Sequence, residues 1–281
     1  MNVQKNLAIR FFRTKLNLLS LVSKQRTGSE AFRLFCTPQS RYTGKQADVF
    51  RLGEPLGFEL NGKKIKGFRC NTGGTKRILI LHGFASSCHK FDKYATELIK
   101  KNYEVLAFDA PAHGASEGKT VHALEYCEMI HKIDELYGPL NGFLAHSFGG
   151  IAVSLALETM QHDKQTKLVL IAPATETESA IDGAFQILGI RKQLIRQCLN
   201  DHIFRVSGKQ PSWFSIRRAM KNIKASVLWI HDEDDMITPV ADVLKVKEDN
   251  LPQIEFMLTR GLGHQKIYRN PTVKNAILDF L

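Results

Sequence analysis

Short and almost wholly apolar runs recur along the sequence and alternate with stretches of helical periodicity. The apolar runs are residues 77–82, 104–109, 141–146, 167–172, 226–231 and 253–259. Between most of them lie helical patterns, at residues 91–101, 120–137, 148–160 and 240–248. Strands that are apolar on both faces are typical of a parallel sheet covered by helices on each side. The alternation therefore predicts an α/β fold.

A hairpin signal precedes the first of these runs. Residues 56–60 and 63–70 flank Asn61-Gly62, a dipeptide favoured in two-residue turns because both turn positions require a positive φ. The sequence therefore predicts an antiparallel pair at the start of the sheet, which brings the number of predicted strands to eight.

One interval interrupts the alternation. More than fifty residues separate the sixth predicted strand from the seventh, and they contain helical patches at 181–200 and 213–222. Connections of this length in a compact α/β domain usually serve function. We expect a helical cap inserted after strand 6, at about residues 174–222, within a main domain of residues 55–281.

Residues 1–54 are predicted to form a basic, amphipathic N-terminal segment. The chain of 281 residues has a formal charge of +11, and residues 1–29 hold six basic residues and no acid. Apolar residues recur there with a rough helical spacing. Three interpretations remain open: a helix that packs on the domain, an organellar transit peptide, or a helix that makes weak contact with a membrane surface. The body of the chain is only mildly basic, so we expect no nucleic-acid partner.

The five cysteines are scattered and form no C-x-x-C pair. This pattern favours reduced thiols in a reducing compartment, so we predict a cytoplasmic location. The oligomeric state is left open.

A strand-turn-helix motif marks the end of the fifth predicted strand. Ala145-His146-Ser147-Phe148-Gly149 leads directly into a helical pattern, as in a nucleophile elbow, where small neighbours of the serine let strand and helix approach. Two further segments that follow predicted strands carry an acid and a histidine, the residue types that activate a serine nucleophile. An acidic segment, residues 232–235, follows strand 7, and His264 follows strand 8.

These motifs, in the order Ser, Asp, His, resemble those of the α/β-hydrolase superfamily over about residues 55–281. Residues 108–118 are similar to the D-x-P-G-x-G-x-S loop of the superfamily, with Ala112 in place of a glycine. The resemblance implies a mostly parallel eight-stranded sheet with helices on both faces. It also implies a catalytic triad formed by Ser147, Asp235 and His264. It further implies an oxyanion hole formed by the backbone N–H groups of Phe84 and Phe148.

Three aspartates follow strand 7 and are candidates for the triad acid. The pattern G-x-x-D-x-x-x-P aligns Asp235 with the acid and Pro239 with the proline, but Asp232 occupies the glycine position. Asp232 and Asp234 therefore remain alternatives to Asp235.

The resemblance implies a serine hydrolase that cleaves a small-molecule carboxylic ester or thioester through an acyl-serine intermediate. The alternatives are a serine aminopeptidase or amidase and a non-catalytic binding protein of the same fold. The apolar residues of the predicted cap either line an acyl pocket or pack the cap itself, and the main candidates are Phe185, Leu188, Trp213 and Phe214.

No cofactor or metal is expected. The sequence has no G-x-G-x-x-G fingerprint, and residues 114–120 have the wrong glycine spacing for a phosphate-binding loop. Asp232, Glu233 and Asp234 form an acidic cluster, and such clusters are usually solvated and free of metal.

Overall fold

The computed structural model of the protein describes residues 3–42 and 44–281, so Met1 and Asn2 of the predicted N-terminal segment, and Thr43, lie outside it. The described residues form eight strands and twelve α-helices. The strands are β1 (Glu54–Leu60), β2 (Lys63–Cys70), β3 (Lys76–Leu81), β4 (Tyr103–Phe108), β5 (Gly142–His146), β6 (Lys167–Ile171), β7 (Ser226–Asp232) and β8 (Ile254–Thr259).

The helices are α1 (Val3–Val22), α2 (Lys24–Phe35), α3 (Asp48–Arg51), α4 (Asp92–Lys100), α5 (Ala123–Tyr137), α6 (Phe148–Leu157), α7 (Thr177–Leu188), α8 (Gln193–Ser207), α9 (Ile216–Met220), α10 (Val240–Glu248), α11 (Gly263–Lys266) and α12 (Pro271–Phe280). Among the described residues, no helix combines the length and the apolar character needed to cross a bilayer.

All eight strands belong to one sheet with the order β1-β2-β4-β3-β5-β6-β7-β8. The β1–β2 and β2–β4 pairs are antiparallel, and the five remaining pairs are parallel. This topology confirms the predicted mostly parallel eight-stranded sheet. Because β3, β5, β7 and β8 run in the same direction, the segments that follow them begin at one edge of the sheet.

The predicted hairpin is present at the start of the sheet. Leu60 pairs with Lys63, and the intervening Asn61 and Gly62 have φ values of 50° and 71°. These left-handed conformations are the ones that a two-residue hairpin turn requires.

Helices cover both faces of the sheet because alternate residues of the central strands are buried on opposite sides. Ile78 and Ile80 of β3 belong to a core that also contains residues of α4 and α12. Leu79 and Leu81 point to the opposite face and are also fully buried. The contacts of α6 with β3 and β5, and of α5 with α6, provide the cover on that second side.

The chain divides into two compact units. The first contains the first 37 residues and Glu176–Ser215, and the second contains Pro38–Thr175 and Ile216–Leu281. All strands lie in the second unit. The first unit consists of α1, α2, α7 and α8 with a short 3₁₀ turn at Pro211–Trp213. The part of the N-terminal segment that ends at Thr37 therefore packs with the insertion after β6, although the sequence patterns describe them separately, whereas the rest of that segment, from Pro38 on, belongs to the second unit.

Close backbone contact joins α2 to α8 within the first unit. A Cβ atom on Gly28 would lie 2.2 Å from the carbonyl oxygen of Cys198, so only glycine fits at this point. On the adjacent helix α1, Ser20 accepts a hydrogen bond of 2.8 Å from Nζ of Lys192.

The insertion has one more break than its sequence pattern suggests. The helical patch predicted over residues 181–200 is divided into α7 and α8, because Gly189 adopts a left-handed conformation (φ 65°) that ends α7. The second patch, predicted over residues 213–222, contains only the short helix α9.

Candidate active site

Ser147 occupies a strained turn between β5 and α6. Its φ and ψ angles are 53° and −116°, a combination that a residue with a Cβ atom rarely adopts and that costs about 1–3 kcal/mol. Close packing holds the turn in place. A Cβ atom on Gly149 would lie 2.7 Å from the Leu81 carbonyl oxygen, so α6 can start this near to β3 only with glycine at that position.

A chain of hydrogen bonds connects Ser147 to an imidazole and a carboxylate. The hydroxyl of Ser147 donates to Nε2 of His264 at 3.0 Å, and Nδ1–H of His264 donates to Oδ2 of Asp235 at 2.8 Å. The three residues follow β5, β8 and β7 respectively, at the common edge of the sheet. The arrangement has the geometry of a nucleophile, a base and an orienting acid.

The surroundings of Asp235 keep its carboxylate ionised. Burial disfavours the charged form, but hydrogen bonds from His264 and from the backbone N–H groups of Thr238 and Ile237 outweigh this effect and lower the pKa of Asp235 to about 2. Those two N–H groups both donate to Oδ1, at 2.9 and 2.8 Å, whereas Oδ2 accepts from the imidazole and from the hydroxyl of Thr238. A fixed negative charge beside Nδ1 favours the tautomer in which Nε2 can accept a proton.

The other two carboxylates of this loop have different partners. Asp232 accepts hydrogen bonds from the N–H groups of Leu262 and Gly263 at 3.0 and 2.9 Å, and another from the hydroxyl of Thr259. Asp234 is exposed and accepts from the N–H of Gly261 at 3.0 Å. The structure thus brings Asp235, and neither alternative, into contact with the imidazole, whereas Asp232 holds the loop from which His264 projects.

The loop after β3 approaches the serine closely. A Cβ atom on Gly83 would lie 2.9 Å from Cβ of Ser147, so glycine is required at that contact. Phe84 follows, and among the hydrogen bonds of the described residues none uses its N–H. Phe148 begins α6, and the first N–H groups of a helix have no acceptor within it. Both N–H groups are therefore free to bind an oxygen atom near Ser147.

Two buried histidines shape this loop. Nε2 of His82 accepts from the N–H of Ala110 at 3.0 Å, and Nδ1–H donates to the carbonyl of Gly83. Nε2 of His113 accepts from the N–H of Ala85, next to Phe84, at 2.9 Å. Burial is the main cause that lowers the pKa of both rings, for His113 to about 3. Both imidazoles are neutral at pH 7 and serve as hydrogen-bonding supports.

The loop after β4 carries the alanine that departs from the superfamily pattern. Ala112 has a φ of 66°, a left-handed conformation for which glycine is the usual residue. A Cβ atom on the nearby Gly114 would lie 2.0 Å from Oδ2 of Asp109. The alanine tolerates its strained conformation because the surrounding loop is locked, with Oδ2 of Asp109 accepting the N–H of Ala115 at 2.9 Å.

The sequence motifs did not assign roles to two residues that contact the base. The hydroxyl of Thr238 donates to Oδ2 of Asp235 at 2.8 Å and lies 3.3 Å from Nδ1 of His264. Nε2 of His146 lies 3.1 Å from the carbonyl oxygen of His264, and burial lowers the pKa of His146 to about 3. Neither position has a local signal, apart from the place of His146 beside the serine.

The four residues predicted to line an acyl pocket all belong to the first compact unit. Phe185 is half-buried under the guanidinium of Arg196, at 5.9 Å, and both residues line a cavity of about 270 Å³ on α7 and α8. The rings of Trp213 and Phe214 meet edge to face at 5.2 Å, and Leu188 is the last, half-buried residue of α7.

Within the described residues, one group of side chains has the proximity that a metal ion needs. Ligand atoms of Cys88, His89 and Asp109 lie within 4.8 Å of one another. Burial raises the pKa of the Cys88 thiol well above its usual value. Oδ1 of Asp109 also accepts the N–H of Cys88 at 3.0 Å.

Comparisons with known proteins agree with this architecture. A family model described as serine aminopeptidase, S33, matches residues 74–212. The chain is similar in structure to an esterase of Pyrococcus furiosus, with 20% identity over 88% of this chain and 97% of that chain and a TM-score of 0.65. A monoacylglycerol lipase of Paleococcus ferrophilus has 23% identity over 76% of this chain and 97% of its own, with a TM-score of 0.57.

A bacterial membrane phospholipase A is also similar, with 17% identity over 81% of this chain and 85% of that chain and a TM-score of 0.60. No curated protein sequence gives a significant match. The solved structures share the fold of this chain and differ in the substrates that their names give.

Proposed function

We propose that this chain, which shares the fold of an esterase over 88% of its length, is a serine hydrolase of the α/β-hydrolase superfamily that cleaves a carboxylic ester or thioester through an acyl-serine intermediate. The observation that carries the proposal is the hydrogen-bonded chain from Ser147 through His264 to Asp235, with distances of 3.0 and 2.8 Å. The substrate is a small-molecule ester.

In the proposed mechanism, Nε2 of His264 takes the hydroxyl proton of Ser147 as Oγ attacks the substrate carbonyl. Asp235 keeps the proton on Nδ1 and stabilises the imidazolium that forms. The N–H groups of Phe84 and Phe148 bind the oxyanion of the tetrahedral intermediate. The alcohol or thiol leaves with the proton held by His264, and a water molecule activated by the same ring then releases the acid.

Labelling with a fluorophosphonate tests the nucleophile. We expect the wild-type protein to react and the Ser147→Ala variant to lose both labelling and ester hydrolysis while staying folded. Ser154→Ala is the matched control, because Ser154 lies in α6 and its hydroxyl donates to the Gly150 carbonyl at 2.8 Å, with no other hydrogen bond to a described residue. Labelling that persists in Ser147→Ala would exclude the proposed nucleophile.

A serine aminopeptidase is the second candidate, favoured by the description of the matching family model. Rates on p-nitrophenyl esters of increasing chain length and on aminoacyl p-nitroanilides distinguish the two. Turnover of the anilides alone would assign the peptidase. An absence of both labelling and turnover would favour the non-catalytic binding protein.

The cysteine pattern of the sequence supports a cytoplasmic location, and the basic segment of residues 1–29 supports contact with a membrane surface. Cell fractionation with an antibody against the full chain tests the location. Recovery of the protein inside an organelle or outside the cell would contradict it, whereas recovery on the cytoplasmic surface of a membrane would not.

A further inference from the structure

Most of the large apolar side chains that are exposed belong to the first compact unit, although this unit holds little more than a quarter of the residues. Those on α1 form the largest set within one helix. They are Leu7, Phe11, Leu18, Leu21 and Val22, with exposed fractions of 59, 62, 59, 74 and 80%.

These five residues form one stripe along α1, which we call the α1 apolar face. A helix turns about 100° per residue, which places Leu7, Phe11, Leu18 and Val22 on the same side and Leu21 beside them. Leu16 and Ser20 lie on the opposite side, and their exposed fractions are 1 and 7%. The helix therefore has its packed side against the protein and a second apolar side that faces solvent.

Positive charge surrounds the α1 apolar face. Arg10, next to the face, is exposed, as are Lys24 and Arg26 just beyond the end of α1. The first 37 residues hold seven basic residues and a single acid, Glu30. That carboxylate pairs with Lys15 at 2.7 Å and with Arg33 at 2.6 Å, so the exposed cations have no acidic residue of this segment to neutralise them.

We propose that the α1 apolar face and its flanking cations bind the surface of an anionic lipid bilayer. A helix with an apolar face and basic flanks lies in the interface with that face among the acyl chains, and the cations meet the lipid phosphates. The charge distribution disfavours a second copy of this chain as the occupant, since pairing two α1 faces would bring the like-charged side chains of Arg10 and Arg26 of each copy together.

The choice of a lipid bilayer as the partner rests on the proposed function, because esters of long-chain acids reside in bilayers. Its physical basis is separate from catalysis. The binding measurement therefore uses the full chain carrying Ser147→Ala, so that lipid is not hydrolysed and a failure of the proposed nucleophile does not affect the result.

The experiment is co-sedimentation with large vesicles, either of phosphatidylcholine alone or of phosphatidylcholine mixed with phosphatidylglycerol. We expect binding to the mixed vesicles and little to the neutral ones. Adding salt weakens the binding, because the Debye length falls from about 30 Å at 0.01 M to about 8 Å at 0.15 M.

Two sets of variants separate the contribution of the apolar side chains to vesicle binding from that of the cations. Phe11→Ser with Leu18→Ser lowers the vesicle partition coefficient at least about tenfold, because two large apolar side chains no longer insert among the acyl chains. Arg10→Gln with Arg26→Gln lowers it up to about 30-fold at low salt, from about 1 kcal/mol per cation. Leu52→Ser is the matched control, because Leu52 is 78% exposed on the second unit.

The proposal is wrong if the wild-type chain does not bind the mixed vesicles, or if the Phe11 and Leu18 double variant binds as well as the Leu52 control. Sedimentation equilibrium without lipid tests the other occupant. A dimer that the same double variant converts to monomer, with vesicle binding unaltered, would assign the face to a second copy and overturn the lipid assignment. All the substituted side chains are exposed, and circular dichroism checks that the variants are folded.

Discussion

The Asp235→Asn variant gives the sharpest test of the proposed base. The N–H groups of Ile237 and Thr238 both donate to Oδ1 of Asp235, so the amide oxygen of the asparagine takes that position. The amide nitrogen then faces Nδ1 of His264, which must accept a hydrogen bond in place of donating one. The imidazole proton moves to Nε2, where it faces Ser147 and leaves no base for the hydroxyl.

The size of the loss follows from the cost of the reverse amide orientation. Turning the amide would place its nitrogen against both backbone N–H groups, and each unsatisfied donor costs about 1–3 kcal/mol. At the lower limit of about 2 kcal/mol, roughly 3% of the molecules keep the productive tautomer, which corresponds to a loss of about 30-fold. The upper limit is about 10⁴-fold, the cost of the wrong tautomer in a serine protease.

The assay is kcat on a soluble p-nitrophenyl ester, together with a thermal unfolding curve. We expect kcat to fall between these limits with an almost unchanged Tm, because the substitution is isosteric. Asp234→Asn is the matched control and should lose less than about tenfold, since that exposed carboxylate bonds only to the N–H of Gly261. The reasoning fails if Asp235→Asn keeps more than a tenth of the wild-type kcat, or if Asp234→Asn loses the larger factor.

Three further predictions test the supports of the site. Gly83→Ala places a Cβ atom 2.9 Å from Cβ of Ser147, so we expect the loop after β3 to shift, the N–H of Phe84 to leave its proposed place beside the oxyanion, and kcat to fall by about 10²–10³; an unaltered kcat would contradict the tight contact. Burial lowers the pKa of His113 and His146 to about 3, against about 6.5 in the unfolded chain, so the unfolded state binds more protons between these values. The two neutral imidazoles therefore contribute their full share to the free energy of unfolding above pH 6.5, and this share is lost on acidification. Urea titrations should show the free energy of unfolding falling by up to about 2.7 kcal/mol per pH unit between about pH 6 and 4. A free energy of unfolding that does not change over this range would refute the prediction. Asp232→Asn leaves one backbone N–H of the loop after β8 without an acceptor, at a cost of about 1–3 kcal/mol. Calorimetry should record a Tm lowered by about 2–4 °C per kcal/mol. An unchanged Tm would mean that the loop does not need this carboxylate.

The features that depend on neighbours along the chain could be predicted from the residues alone. Apolar runs separated by helical patterns predict the parallel sheet because the burial of each strand is recorded in its own residues. The turn at Asn61-Gly62 and the small residues around Ser147 are local for the same reason, since the backbone conformation required there excludes most side chains. The motif order then indicates which strand ends hold the serine, the acid and the histidine.

Which carboxylate contacts the imidazole could not be predicted from the residues and is known from the folded chain. Asp232 and Asp235 are three residues apart and chemically alike, and their partners, the N–H groups of Leu262 and Gly263 in one case and the ring of His264 in the other, lie about thirty positions away. The same holds for the packing of Gly28 against Cys198, which joins the N-terminal segment to the insertion. Such contacts depend on the path of the whole chain, and no local pattern of residues encodes them.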